Sequence, residues 1–516
     1  MDERVAGALA LLPGYLGAHV ALSAAALALG AAISLPLAVA AARSPAVRWP
    51  ALAGASLIQT IPSLALLALF YPLLLALSAV GRSLFGVGVP ALGFLPSLLA
   101  LTLYAMLPIL RNGVAGLTGL DPAVIEAADG VGMTGWQRLW RVEAPLAAPV
   151  AMAGVRTAAA LTIGTATLAT PVGQTSLGNY IFSGLQTENW VYVLFGCAAA
   201  AGLALVVDQL LGLIESGLVR RSRARVAIGA ALLAAGTLAA VAPLWRPAPA
   251  QYVVGAKNFS EQFILARVIA HRLEAQGART AEKDGLGSAV IFRALAEGDI
   301  DVYVDYSGTL WTNVLGRKDV PPRAELLSQL GQALKARYGV TLVGPLGFEN
   351  AYALAMKADR AASLGVGDIA ALAAEAPALT LGADLEFLSR PEWAAIRDAY
   401  GLRFAAERSF NPTFMYRALA SGRADVISAF SSDGRIAAEG LVVLKDPRGA
   451  IPPYDAVILV SPRRAKDERL LRALRPLVGR IPVEAMRQAN LMVDRAEDKK
   501  SPDVAARALE KALGTP

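Results

Sequence analysis

The chain has 516 residues, of which 55% are hydrophobic and 17% charged, with a net charge of +7 and a single cysteine. It is too long for one domain and too poor in charge for an ordinary soluble protein, where roughly 25% of residues are charged. The positive charge of its apolar half sits in short loops, which excludes a nucleic-acid patch, and the lone Cys197 excludes an intrachain disulfide.

Most of the charged residues lie beyond residue 250, so two populations share the chain. Five apolar stretches, near 18–42, 51–80, 89–110, 152–171 and 191–214, precede a sixth at 226–244. Segments of this length and polarity must satisfy their backbone internally, which leaves only helix. Their Gly, Ala, Ser and Thr residues suit close helix contact in lipid, and Pro36, Pro62, Pro72 and Pro108 predict kinks or breaks. Arg43 and Arg48 lie between the first two stretches, Arg111, Arg138 and Arg141 after the third, and Arg220, Arg221, Arg223 and Arg225 before the sixth. No Lys or Arg stands between Arg156 and Arg220. Positive charge favours the cytoplasmic side, so the pattern predicts six spans with both termini outside. The first span reads as an uncleaved signal anchor. Asp208, in the fifth span, is costly to bury and is expected to face the bundle interior.

The predicted division is therefore 1–219 for spans one to five, 220–250 for the sixth span and its linker, and 251–516 for a soluble domain outside the membrane. The stretch 220–250 also has the outline of an internal signal peptide ending in Ala248-Pro249-Ala250. Its apolar run is long for that purpose and its prolines are awkward for a peptidase, so an intact span with a stiff linker is expected.

The loop 121–145, between the third and fourth spans, opens with Asp121 as an N-cap and Pro122 as first helical residue. Glu126-Ala127-Ala128 continues a short helix, and Gly132 permits a turn out of it. With Val142 and Pro145 in register, this run resembles the coupling loop of ABC importer permeases, although Ala144 stands where that family usually has Leu. The resemblance implies that Glu126, Ala127, Ala128, Gly132 and Pro145 dock on a separate cytosolic ABC ATPase. The chain has no G-x-x-x-x-G-K-[ST] run to cradle ATP phosphates. ATP is thus expected on the partner, with no cofactor and no catalytic residue in this chain.

From Tyr252 onward short apolar strands alternate with helical stretches: 252–255, 261–276, 289–297 and 300–303, with a similar set over 351–444. This is the rhythm of βαβ units in a parallel sheet. Two α/β lobes, about 251–347 with 450–516 and about 348–449, predict a hinged clamshell closing on a ligand. The runs Lys257-Asn258-Phe259-Ser260-Glu261-Gln262, Asp305-Tyr306-Ser307-Gly308-Thr309, Glu386-Phe387-Leu388-Ser389-Arg390, Phe430-Ser431-Ser432-Asp433-Gly434-Arg435 and Pro453-Tyr454 resemble the binding proteins of osmoprotectant (glycine betaine, choline, carnitine) ABC importers. The apolar half resembles the permease of the same systems. Fusions of the two occur in that group and in the related importers of ergothioneine, a trimethylammonium betaine.

The fold class that follows is a six-span α-helical ABC importer permease joined to a two-lobed α/β domain of the type II periplasmic binding protein kind. A quaternary ammonium has no N–H, so aromatic faces must hold it, at about 0.5–2 kcal/mol per ring. By resemblance Tyr306, Tyr352, Phe430 and Tyr454 are the cage walls, Phe430 standing where the family usually has Tyr. Asn350 takes a position often held by Asp in relatives. Arg390 aligns with a carboxylate clamp, for which a guanidinium fork is suited, and Lys257 and Thr309 with neighbouring polar contacts. Arg390 could instead pair with Glu386 along its helix. Trp311, Trp393 and Tyr416 read as packing residues, and the isolated His19 and His271 lack metal-ligand spacing.

The expected protein is a bacterial inner-membrane importer subunit, forming a homodimer in lipid with its ATPase and binding no nucleic acid. Ergothioneine is the alternative substrate within that architecture. A membrane-anchored solute sensor without transport is the alternative of another class.

Overall fold

The computed structural model describes residues 3–85, 88–187, 189–245, 251–317, 319, 321–410, 412–451, 453–495 and 497–514. The chain forms two compact units, Met1–Phe182 with Val191–Ala248, and Ser183–Trp190 with Pro249–Pro516.

The first unit is helical throughout: α1 (Glu3–Arg43), α2 (Pro45–Thr60), α3 (Ser63–Phe85), α4 (Phe94–Thr118), α5 (Pro122–Gly130), α6 (Gly135–Arg138), α7 (Ala144–Ala166), α8 (Gly178–Gln186), α9 (Trp190–Val219) and α10 (Arg223–Val241). Six stretches among the described residues are long and apolar enough to cross a membrane. The second differs from the predicted 51–80, because the chain breaks at Ile61-Pro62 and the apolar run is shared between α2 and α3. Proline removes a helix hydrogen bond and clashes with the preceding turn, and in lipid a carbonyl left at the break needs another donor. Tyr104 supplies it, its hydroxyl donating to the Ile61 carbonyl. Pro36, Pro72 and Pro108 are instead accommodated inside α1, α3 and α4.

Small residues let these helices approach closely, as expected without a hydrophobic driving force between spans. A Cβ on Gly113 of α4 would come within 2.8 Å of the Ala38 methyl on α1, and one on Gly154 of α7 within 2.6 Å of the Pro108 carbonyl oxygen on α4. His19 is buried, its ring nitrogens bonding Ile163 O at 3.1 Å and the Leu177 amide at 3.3 Å. It ties α1 to α7 and to the backbone just before α8.

Asp208 is not enclosed by the bundle as expected. Its side chain is 30% exposed and lies against Arg156 of α7, which holds it through two bonds of 3.0 and 2.8 Å and reaches Glu215 at 2.7 Å. One guanidinium therefore ties two carboxylates of α9 to α7. Arg156→Leu is expected to lower thermal stability in detergent by about 3 kcal/mol, because it leaves two carboxylates of α9 without their cation. The triple variant Arg156→Leu/Asp208→Leu/Glu215→Leu should recover most of it. A thermal melt followed by size exclusion measures both.

The loop between α4 and α7 is ordered by its own polar groups. Asp121 caps α5 through the Ala123 amide at 2.9 Å, Gly132 turns the chain at φ +78°, and Thr134 with Gln137 form a reciprocal cap on α6. Arg138 then bridges Asp129 at 2.6 Å and Glu143 at 2.7 Å. Ala128 points inward while Glu126, Ala127 and Pro145 face solvent, and Val131, Trp136 and Trp140 are left exposed.

The second unit has two five-stranded sheets. The first, β2-β1-β3-β10-β4, joins β1 (Tyr252–Lys257), β2 (Thr280–Leu286), β3 (Val302–Tyr306), β4 (Thr341–Glu349) and β10 (Asp455–Val460). The second, β7-β6-β8-β5-β9, joins β5 (Tyr352–Lys357), β6 (Thr380–Ala383), β7 (Ala406–Ser409), β8 (Val426–Phe430) and β9 (Leu441–Val443). Helices α11 (Ser260–Ala275) and α12 (Ser288–Glu297) connect the strands of the first.

The sheets are mixed rather than parallel. β1 runs parallel to β2 and β3, and β6 to β7 and β8, but β10 and β5 are antiparallel to both of their neighbours. Those two strands follow the crossings between lobes, so each enters its sheet from the opposite end. β2 also escaped the periodicity, because Thr-Ala-Glu-Lys-Asp is the sequence of a charged edge strand. The linker prolines Pro247 and Pro249, and the Ala248-Pro249-Ala250 end, lie outside the described residues.

Candidate functional site

In open α/β sheets ligands lie beyond the carboxyl ends of the parallel strands. Lys257 ends β1, Tyr306 ends β3 and Phe430 ends β8. The antiparallel strands bring their amino ends to the same edge, so Tyr352 opens β5 and Tyr454 directly precedes β10. Tyr352 and Phe430 are cross-strand partners. The sheet topology thus gathers four aromatics that are scattered over about 150 positions of sequence.

All eight predicted ligand-binding residues, Lys257, Tyr306, Thr309, Asn350, Tyr352, Arg390, Phe430 and Tyr454, line one cleft of about 640 Å³, its open mouth included. Phe259, which sequence reasoning quoted but gave no role, is a fifth ring. It stacks on Tyr306 and on Phe430, with centroids 6.1 Å apart in each case. Phe430 meets Tyr352 at 4.9 Å, and Tyr352 meets Tyr454 edge-on at 5.8 Å. The five rings form a continuous belt. Gly308 is required beneath it, since a Cβ there would overlap the Tyr454 ring.

Two protein cations already lie over these rings, Lys257 Nζ at 5.3 Å from the Tyr306 centroid and Arg390 Cζ at 5.1 Å from that of Tyr352. Lys257 is also paired with Asp305, which is fixed by the Tyr306 amide at 2.7 Å. Arg390 is buried and lies 3.6 Å from Glu392. The alternative partner, Glu386, has a side chain outside the described set. Asp384, at the end of β6, adds a carboxylate to the cleft wall and caps the Phe387 amide at 2.9 Å. An acid there was not anticipated, because as an N-cap it reads as purely structural.

Buried glutamates support two of the walls, and sequence reasoning missed both. The Tyr306 hydroxyl donates to Glu261 at 2.6 Å, and Asn350 and Asn490 donate to the same carboxylate at 3.0 and 2.9 Å. Burial pushes the Glu261 carboxyl above its ordinary range, opposed by the donors Ser432, Tyr306, Asn490 and Asn350. The Tyr454 hydroxyl donates to Glu392, which also accepts from Thr312 at 3.0 Å. Burial, with the adjacent carboxylates, pushes both phenols well above their usual range, so each remains a protonated donor. Only Glu261 carried a signal, its place inside the quoted run 257–262. Asn490 and Glu392 lie in helices far away in sequence.

A second cavity, of about 560 Å³, shares Phe259, Asn350 and Phe430 with the first and continues to Glu261 and Asn490. The side-chain oxygens of Asn350 and Asn490 are buried without a hydrogen-bond donor among the described residues. Tyr416, read as packing, borders this cavity, donates to Asp433 at 2.6 Å and carries Arg435 4.0 Å above its ring. Trp393 does pack, against Phe387 and Phe404, and Trp311 is fully buried with its indole N–H on Asp319 O at 2.7 Å. His271 sits between Asp503 at 2.9 Å and Glu510 at 3.2 Å, and the described residues hold no cluster of metal-ligating side chains.

A family model for the substrate-binding domain of ABC-type glycine betaine transport systems matches residues 250–511, half of the chain. A second, for the inner-membrane component of binding-protein-dependent transport systems, matches residues 33–220. Among curated relatives, the ergothioneine transport permease/ergothioneine binding protein EgtU of Helicobacter pylori (strain G27) is 29% identical over 89% of this chain and 82% of its own length. The glycine betaine/carnitine/choline transport system permease protein OpuCB of Bacillus subtilis (strain 168) is 38% identical over 39% of this chain and 84% of its own. The crystal structure titled a glycine betaine/carnitine/choline ABC transporter covers 51% of this chain and 99% of its own, at 26% identity and a TM-score of 0.46. The chain belongs to the substrate-binding-domain family of ABC-type glycine betaine transport systems, and it is an inner-membrane importer subunit, not an enzyme, in which permease and binding protein are one polypeptide.

Proposed function

We propose that this chain imports a small trimethylammonium compound of the glycine betaine and choline type, captured by residues 251–516 on the outer face of the membrane. The belt of five rings around one cleft carries this reading. A trimethylammonium group offers no hydrogen-bond donor, and each ring face contributes about 0.5–2 kcal/mol to holding it. Arg390, beside the belt, provides a fork for a carboxylate at the other end of the ligand. The coupling loop, with its exposed Val131, Trp136 and Trp140, docks on a separate cytosolic ATPase, and two copies of the chain complete the importer. Tethering the binding domain keeps its local concentration near millimolar.

Titration of the purified full-length chain with glycine betaine, choline, carnitine and ergothioneine tests the substrate. Arg390→Ala is expected to weaken glycine betaine about tenfold or more, the worth of a charged hydrogen-bonded contact, and choline far less. Equal losses would refute the clamp. Continued ligand-dependent accumulation of solute in cells lacking the partner ATPase would overturn the importer reading.

Ergothioneine is the second reading. It is favoured by the adjoining cavity, where the donor-less oxygens of Asn350 and Asn490 would accept from a ring N–H that glycine betaine lacks.

A further inference from the structure

Two of the five rings share a feature that cage geometry alone does not require. Tyr306 and Tyr454 each donate a phenolic hydrogen bond to a buried glutamate, and in neither case is that glutamate on the tyrosine's own element. Glu261, in α11, holds Tyr306 at the end of β3. Glu392, in the helix Pro391–Tyr400, holds Tyr454 at the start of β10. The direction of the first bond is settled by a neighbour. Gln262 Nε2 donates to the Tyr306 oxygen at 3.0 Å, so the tyrosine's own proton goes to Glu261.

Both carboxylates accept hydrogen bonds, Glu261 on both oxygens and Glu392 on Oε1. Glu261 accepts from Asn350 and Asn490 as well as Tyr306, and is 3% exposed. Glu392 accepts from Tyr454 and Thr312, stands 3.6 Å from the Arg390 guanidinium, and is 2% exposed. Hydrogen bonds donated to a carboxylate favour its charged form. Donation to an anion inside a low-dielectric interior is stronger than donation to a neutral acceptor. It also shifts electron density into the phenol ring, deepening the negative face that attracts cations.

We propose that Glu261 and Glu392 are specificity-determining positioning residues that set this site's preference for a permanently charged ammonium over an uncharged group of the same shape. Neither needs to touch the ligand. A cation over either ring senses the polarised face and the carboxylate behind it. A tert-butyl group, with the same volume, senses neither. This assignment rests on the aromatic-cage reading proposed above.

Choline and 3,3-dimethylbutan-1-ol differ only in nitrogen against carbon at the branched centre, so their affinity ratio isolates the charge. In the full-length chain the ratio is expected to be about 100-fold or more in favour of choline, from two or more desolvated ring faces. Glu261→Gln and Glu392→Gln should each lower it by roughly tenfold, about the difference between a charged and a neutral hydrogen bond. Tyr306→Phe and Tyr454→Phe retain the rings but sever the link, and should lower the ratio similarly. They keep the proposal testable should a Gln variant not fold. If choline and its isostere weaken in step, the glutamates only position the rings and the proposal is overturned. An unchanged ratio at unchanged affinity overturns it too. A native chain without cation preference overturns both this proposal and the cage reading, whereas a strong native preference that survives all four substitutions overturns this proposal alone.

Discussion

Tyr454→Ala and Tyr306→Ala are each expected to weaken binding of trimethylammonium ligands by about 100-fold or more. Both side chains are almost fully buried, so alanine removes a ring face and leaves a cavity as well. Lost cation–π attraction accounts for about 0.5–2 kcal/mol, and the collapse of neighbouring walls adds to it. Tyr454 has the larger expected effect. Its removal frees the surface of Gly308, deprives Tyr352 of its edge-on neighbour and leaves Glu392 with one donor fewer. A buried acceptor stripped of its donor costs about 1–3 kcal/mol on its own. Titration with glycine betaine and choline, alongside a thermal melt, separates loss of the site from loss of the fold. Retention of near-native affinity by either variant would show that its ring is not a wall of the cage.

The second large effect is expected in the loop between α4 and α7. Gly132→Val forces a β-branched side chain into φ +78°, at about 1–3 kcal/mol for a residue held in that region. Ala127→Trp leaves the backbone alone but places a large ring on the exposed side of α5, where a partner must approach closely. Each should lower ATP-driven uptake by at least about tenfold while titration of the ligand is unchanged. The signature is therefore a split between binding and transport. Normal uptake by Ala127→Trp would mean that the α5 face is not the one the ATPase uses.

The membrane half was legible because lipid permits so few solutions. An apolar run of some 20 residues has to be a helix there, and α4, α9 and α10 appear close to where composition places them. The departures have local causes. Hydropathy runs straight through Ile61-Pro62, but the backbone does not, and only the Tyr104 hydroxyl shows how the broken end is satisfied. Asp208 is an isolated acid in the sequence, and its partner Arg156 lies 52 positions earlier. Distance along the chain conceals a pair that two adjacent helices make obvious.

In the soluble half, patterning separated strands from helices but not their directions. β10 and β5 have the same apolar character as the parallel strands beside them. Their reversal follows from the route of the chain between lobes. That reversal brings Tyr352 and Tyr454 to the edge where Tyr306 and Phe430 already stand.

By itself, then, the sequence determined the number of apolar spans, the capped helical loop between α4 and α7, the two-lobed architecture and the residue types at four walls of the cleft. Each of these is written in neighbouring residues, through hydropathy, capping or a short run. The tertiary structure decided what depends on residues brought together from afar: Phe259 as the fifth ring, Glu261 and Glu392 as the acceptors behind two tyrosines, and Asn490 reaching the same carboxylate from the helix Val483–Asp494. A buried polar group is meaningful only through its partner, and partners more than 40 positions apart leave no period in the sequence to read.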